Sequence, residues 1–260
     1  MLRWNYRVIN RRQAVLLLGL LFAAAVLLVL VVSAVPAVFT SYIIDSDNPS
    51  PICCTDRADH VICLTFDAAR GNKSIDAIDE LLKQYHIKAT FFVTGEWAER
   101  CPDSMQRLLE SGQEIMSASD HSAGLTSLLE DETINLINAG NDKIQAITGK
   151  RPVLFRSPDG KYDDNLLEAL AMLEMMPIRW DVDSFDYTGL DEEGIIKRVV
   201  SQSASGSIIR FNADGKNTLD ALPQSIEKLK EKGFRFIPVS EMVYQKNYSI
   251  NRQGRQISKN

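Results

Sequence analysis

Four short apolar runs in this sequence each lead into polar residues of a kind that can do chemistry. The run at 61–66 (VICLTF) ends in Asp67-Ala68-Ala69-Arg70-Gly71, and the run at 153–156 (VLFR) ends in Arg156-Ser157-Pro158-Asp159-Gly160. The run at 177–182 (PIRWDV) leads into Asp183-Ser184-Phe185-Asp186-Tyr187, and that at 206–211 (GSIIRF) into Asn212-Ala213-Asp214. Carboxylates gathered with Arg156 among them suggest paired charges around a polar cavity, the setting in which acid–base chemistry is tuned. Acidic loop residues are common, so the grouping names no reaction by itself.

Such residues can meet only if the runs are strands whose C-terminal ends point to one side, as in a parallel β/α barrel. Amphipathic stretches separate them. Strands are expected at 61–66, 89–94, 114–116, 153–156, 177–182, 206–211 and 234–239, and helices at 74–86, 102–111, 132–148, 164–173, 191–201 and 218–232. Strands alternating with helices predict parallel βαβ units, hence a barrel or a doubly wound sheet. No internal repeat is visible.

Residues 14–35 (AVLLLGLLFAAAVLLVLVVSAV) form 22 positions without a charge. A spanning helix needs about 20 apolar residues, whereas the core of a cleaved signal runs about 7–15. Arg3, Arg7, Arg11 and Arg12 precede the segment, so the positive-inside bias keeps residues 1–13 in the cytoplasm and exports the C-terminal domain. Small residues at 33–37 leave a cleavable signal as the alternative, and export stands under either reading. The expected organisation is a cytoplasmic N-terminus at 1–13, a signal-anchor helix at 14–35 and a stalk at 36–58 carrying Pro36, Pro49 and Pro51. A globular domain at 59–244 and a polar, solvated tail at 245–260 complete it.

Setting aside those four arginines leaves 25 basic residues against 34 acidic ones in a chain of net charge −5, so the remainder carries −9. An acidic domain lacks the basic face that phosphate binding requires, which argues against nucleic acid as a partner. Composition is ordinary for a globular chain, with 45% hydrophobic residues. Cys53, Cys54, Cys63 and Cys101 have no C-x-x-C spacing, so they make no zinc module, and their pairing cannot be assigned from sequence.

The segments TFDAARG, ATFFVTGEW, GQEIMSASDHSAGLTSL, FRSPDG, WDVDSFDY and GSIIRFNADGKNTLDALPQSIEKLKEKGFRFIPVSEM succeed one another in an order that resembles the polysaccharide deacetylase (NodB-like, carbohydrate esterase family 4) domain. The resemblance covers about 59–244. It implies an α/β fold, a distorted parallel (β/α) barrel with fewer than the usual eight strands, here preceded by one transmembrane helix. It also implies metal-dependent removal of acetyl groups from N-acetylated sugars of chitin-like polymers or peptidoglycan. In that chemistry a divalent cation, usually zinc, polarises the acetamide carbonyl, a carboxylate deprotonates the bound water, and an acid protonates the leaving amine.

Carried over position by position, Asp67 matches the base, Arg156 the arginine paired with it, and Asp186 the aspartate that tunes the acid histidine. Pro158, Tyr187 (in place of the usual tryptophan) and Asn212 are the expected substrate-binding positions. The metal ligands do not carry over, because Ala68, Ala118 and Ser122 stand where an aspartate and two histidines are usual. Asn212 stands at the acid histidine, and asparagine has no proton to deliver. Of the three histidines, His60, His86 and His121, only His121 lies in the metal loop, one position before Ser122. The expectation is therefore no metal and no other cofactor, with a catalytically impaired domain binding an N-acetylated cell-wall glycan at the outer membrane face. Two alternatives stand beside it: an active deacetylase with a site remodelled around Asp67, Asp120 and His121, and a structural partner of another envelope protein.

Overall fold

The computed structural model describes residues 50–259 apart from Arg70, Asn72 and Ala123. The expected membrane helix at 14–35 and most of the expected stalk lie outside the described residues. Among the described residues no helix is long and apolar enough to cross a membrane.

The architecture is a curled parallel sheet wrapped by helices. β1 is Cys54–Thr55, β2 Val61–Ala68, β3 Thr90–Val93, β4 Glu114–Ser117, β5 Leu154–Phe155, β6 Met176–Pro177, β7 Val182–Asp183, β8 Ile208–Asn212, β9 Arg235–Phe236, β10 Tyr248–Ile250 and β11 Arg255–Ser258. The helices are α1 Lys73–Gln84, α2 Gly95–Arg100, α3 Pro102–Glu110, α4 Glu130–Thr148, α5 Asp164–Met172, α6 Glu192–Gln202, α7 Thr218–Glu231 and α8 Val239–Met242. The main sheet runs β6-β5-β4-β3-β2-β8-β7, with β9 joining the start of β2, and each of its pairings is parallel. The expected distorted barrel is thus found.

Period-2 alternation along the strands sorts the side chains into two shells. On β2, Ile62, Leu64, Phe66 and Ala68 pack toward the helices, with Phe66 stacked between Phe91 at 5.1 Å and Phe211 at 5.6 Å. Val61 and Cys63 fill the interior with Phe92, Leu154 and Ile208. Thr65 and Asp67 continue that inward row. On β8 the inward row is Ile208, Arg210 and Asn212, in register with Cys63, Thr65 and Asp67. Apolar layers below and charged groups above result directly from these two sequences.

The run at 177–182, expected as one strand, is two. β6 pairs with β5 while β7 pairs with β8, so the segment between them crosses from one edge of the sheet to the other. Among the described residues no ladder joins the two edges directly, and the chain itself closes the barrel. The gap beneath is filled by the end of the expected stalk. Ile52 bridges Ile178 in parallel, Cys54 bridges Ser207, and the Thr55 amide donates to the Gly206 carbonyl at 2.9 Å.

The tail at 245–260, expected to be solvated, is folded in its described part. β10 and β11 form an antiparallel hairpin whose second strand, β11, pairs in parallel with β1 and so lies at the centre of a three-stranded sheet. Its anchor is Gln256, fully buried, which accepts from the Tyr244 amide and donates to the Tyr244 carbonyl, both at 2.8 Å. A polar sequence concealed this because the buried group is an amide rather than a hydrocarbon. Cys53, Cys54, Cys63 and Cys101 are all free thiols. Burial pushes the Cys54 thiol up to about 11, which makes it a poor nucleophile.

Candidate functional site

At the C-terminal ends of the strands lies a cavity of about 670 Å³. All six residues expected to form the site line it: Asp67, Arg156, Pro158, Asp186, Tyr187 and Asn212. Ala118 and Ser122 line it too, as does a residue that sequence reasoning passed over, Arg210.

Asp67, at the end of β2, is held by two guanidinium groups. Nη1 of Arg156 donates to its Oδ1 at 3.0 Å, and Nε of Arg210 donates to its Oδ2 at 2.6 Å. Arg156 is almost wholly buried, its Nη1 also donating to Thr65 at 2.8 Å and its Nη2 to the Arg179 carbonyl at 3.0 Å. Its guanidinium lies over the Phe92 ring at 4.0 Å. Burial lowers its pKa, with the charge of Asp67 opposing that shift. Arg210 extends the chain of charges to Asp183, Nη1 to Oδ2 at 3.3 Å, and lies over Trp180 at 4.2 Å and Tyr187 at 5.0 Å. Burial disfavours the Arg210 charge, but Asp67 and Asp183 outweigh that and leave it more basic than a free arginine. Two cations and two anions therefore form one continuous network in the floor of the cavity.

Arg210 was legible in principle. It is the one charge within the run GSIIRF, and it alternates in phase with Asn212.

Asp186 has a different task. Its Oδ2 accepts from the Asn212 amide at 2.9 Å and from the Thr218 hydroxyl at 2.6 Å, tying the end of β8 to the start of α7. Its Oδ1 is buried with no partner in the described structure. Burial raises its pKa, more than these hydrogen bonds lower it. A carboxyl group raised in the folded state binds its proton more readily there than in the unfolded chain. Stability is therefore lost as pH rises from the ordinary carboxylate range, about 4, through the raised value. Asp186→Asn is expected to flatten that fall, which urea titrations of both proteins across the range will show.

Asn212 uses its side-chain oxygen to accept from the Asp214 amide at 2.9 Å, so it shapes the turn after β8. Pro158 is fixed by an Asp159 turn, in which Asp159 accepts from the Ser157 hydroxyl at 2.9 Å and the Lys161 amide at 3.0 Å. Tyr187 stands at the rim, 48% exposed, with Arg210 over its ring at 5.0 Å and the Phe185 ring against it at 5.9 Å.

The loop carrying the usual histidine positions is clamped from behind. Ser119 adopts a left-handed φ of 69°, and its carbonyl accepts from the Gly95 amide at 3.0 Å. A Cβ on Gly140 would meet that carbonyl at 2.5 Å, so α4 can approach only through glycine at this point. Asp120 pairs with Lys143 at 2.8 Å. Among the described residues, Asp67, Asp120 and His121, the residues of the remodelled site, do not gather into a group of metal donors. Asp67 and Asp120 serve separate ion pairs, and neither Asp120 nor His121 is among the described residues lining the cavity.

The residues present do not fit the family's divalent cation. Ala68 and Ala118 offer buried methyl groups, Ser122 a neutral hydroxyl, and among the described residues no three His, Cys, Asp or Glu side chains lie together. A catalytic zinc site draws on three protein ligands of those types.

A family model of polysaccharide deacetylases matches residues 55–178. The peptidoglycan-N-acetylmuramic acid deacetylase PdaC of Bacillus subtilis is 33% identical over 187 residues, 72% of this chain but only 39% of PdaC. A peptidoglycan-N-acetylglucosamine deacetylase of Bacillus cereus is 31% identical over 185 residues, covering 70% of this chain and 67% of the relative. Among solved structures, a wild-type protein described as a CE4 family pseudoenzyme from Bacillus anthracis superposes with a TM-score of 0.71 at 27% identity, over 75% of this chain and 69% of that one. A mutant of it, described as having restored enzymatic activity, gives a TM-score of 0.72 at 28% identity, over 75% of this chain and 71% of the mutant. Identity at this level, spread over most of the described residues and carried on the same sheet, shows that the chain belongs to the polysaccharide deacetylase family.

Proposed function

We propose that this chain is an envelope domain, membrane-anchored through residues 14–35, that binds N-acetylated cell-wall glycan without hydrolysing it. The observation that carries this reading is the state of Asp67. Each oxygen of Asp67 accepts from a guanidinium, at 3.0 or 2.6 Å, so one of the two acceptor positions on each is taken and the carboxylate is locked into an ion network rather than free to turn toward a substrate water. The replaced donors at 68, 118 and 122 point the same way, as does the existence of a family member described as a pseudoenzyme.

Binding is favoured by what remains. The cavity falls within the ~300–1,000 Å³ of small-ligand sites. It offers carboxylate and guanidinium groups for hydroxyls, with Tyr187 as an apolar face at the rim. Isothermal titration with peptidoglycan fragments is expected to show binding that persists in a metal chelator. Tyr187→Ala is expected to weaken that binding by about tenfold, roughly 1.4 kcal/mol, in line with the contribution of one aromatic contact. Binding abolished by the chelator would contradict the proposal.

A further inference from the structure

Resting on that reading, we propose that Arg210 is a built-in cation that stands in for the metal: it compensates the carboxylates of the cavity floor and excludes a divalent ion. Three observations carry this. First, Arg210 takes the oxygen of Asp67 that Arg156 leaves open, Nε to Oδ2 at 2.6 Å, so both oxygens of that carboxylate are already tied to a positive group. Second, its position is fixed. β8 places it in register with Thr65 on one side and Asp183 on the other, and the guanidinium lies over Trp180 at 4.2 Å and Tyr187 at 5.0 Å with only 13% of the side chain exposed. A surface arginine could swing away to admit a metal, whereas this one is held on several sides. Third, the charges close. Asp67 and Asp183 are balanced by Arg156 and Arg210, so a divalent ion added beside Ala68 would meet a neutral network with a fixed positive group next to it.

Loss of metal binding in this chain therefore has two layers, the missing donors and a cation in their place. Restoring the donors alone will not restore the site while Arg210 remains. The test is calorimetric titration with zinc of the variant Ala68→Asp/Ala118→His/Ser122→His, with Arg210 intact and with Arg210→Met added. Arg210→Gln serves as a second, polar replacement, and thermal melts establish that each protein is folded. Removing Arg210 is expected to tighten zinc binding by at least about 10–100-fold, the range of effects seen when groups around a metal site are changed. Equal affinity with and without Arg210 overturns the proposal, and so does absence of binding in both backgrounds, since the obstacle would then lie elsewhere. Because the readout is zinc affinity without glycan, a failure here leaves the glycan-binding reading untouched, and that reading fails only by its own titration.

Discussion

Replacing Arg156 with alanine is expected to lower folding stability by about 3–5 kcal/mol, the cost of breaking a buried ion pair from one side. Arg156 is 1% exposed and ties the end of β5 to β2, through Thr65 and Asp67, and to the segment between β6 and β7, through the Arg179 carbonyl. Truncation leaves those acceptors unsatisfied and removes the group that fills the space between Phe92 and Trp180. Lysine at the same position keeps the charge but cannot reach Thr65, Asp67 and Arg179 with one planar fork, so it should recover only part of the loss. Urea denaturation of the globular domain measures both. A change below about 1 kcal/mol for alanine, the usual scale of an exposed pair, would mean that the network is solvent-screened and not structural.

Ending the chain after Lys246 is expected to cost at least about 4 kcal/mol. Tyr248 is 8% exposed, and its burial contributes about 2 kcal/mol. Losing Gln256 strips partners from both the amide and the carbonyl of Tyr244, at about 1–3 kcal/mol for each orphaned group. β1 would also lose its only ladder partner among the described strands, β11. The urea midpoint of the truncated domain gives the answer, and an unchanged midpoint would show that the hairpin is peripheral to the fold.

These two expectations mark where the sequence was informative and where it was not. Strands such as β2 and β3 announce themselves, because near-continuous apolar residues between turn signals fit a sheet buried on both faces. Strand ends alone marked which loops face one side of the barrel, and the family resemblance picked out within them the six residues that line the cavity. What stayed hidden has identifiable causes. The hairpin at the C-terminus buries an amide and a tyrosine, which read as polar. The split between β6 and β7 depends on which neighbours the two ends find, a matter of tertiary pairing that local pattern does not encode. Arg210 carried a signal in its alternation with Asn212, but an arginine inside an apolar run is ordinary unless its partners are known. Its partner Asp67 lies 143 positions earlier in the chain, and only the pairing of β2 with β8 brings the two together.

The resemblance therefore located the pocket, while the geometry changed its meaning. Asp67 and Arg156 are where a hydrolytic site would have them. A second arginine, Arg210, joins Arg156 on the carboxylate, so Asp67 is one member of an ion network that continues to Asp183.

The most direct test is an acetate-release assay on the purified globular domain. It should use N-acetylated peptidoglycan fragments and chitooligosaccharides, with zinc, cobalt, nickel and manganese supplied in turn, alongside calorimetric binding of the same fragments. The expected result is binding with no acetate above the enzyme-free control under any metal. Metal-dependent acetate release that disappears in Asp67→Asn would contradict it.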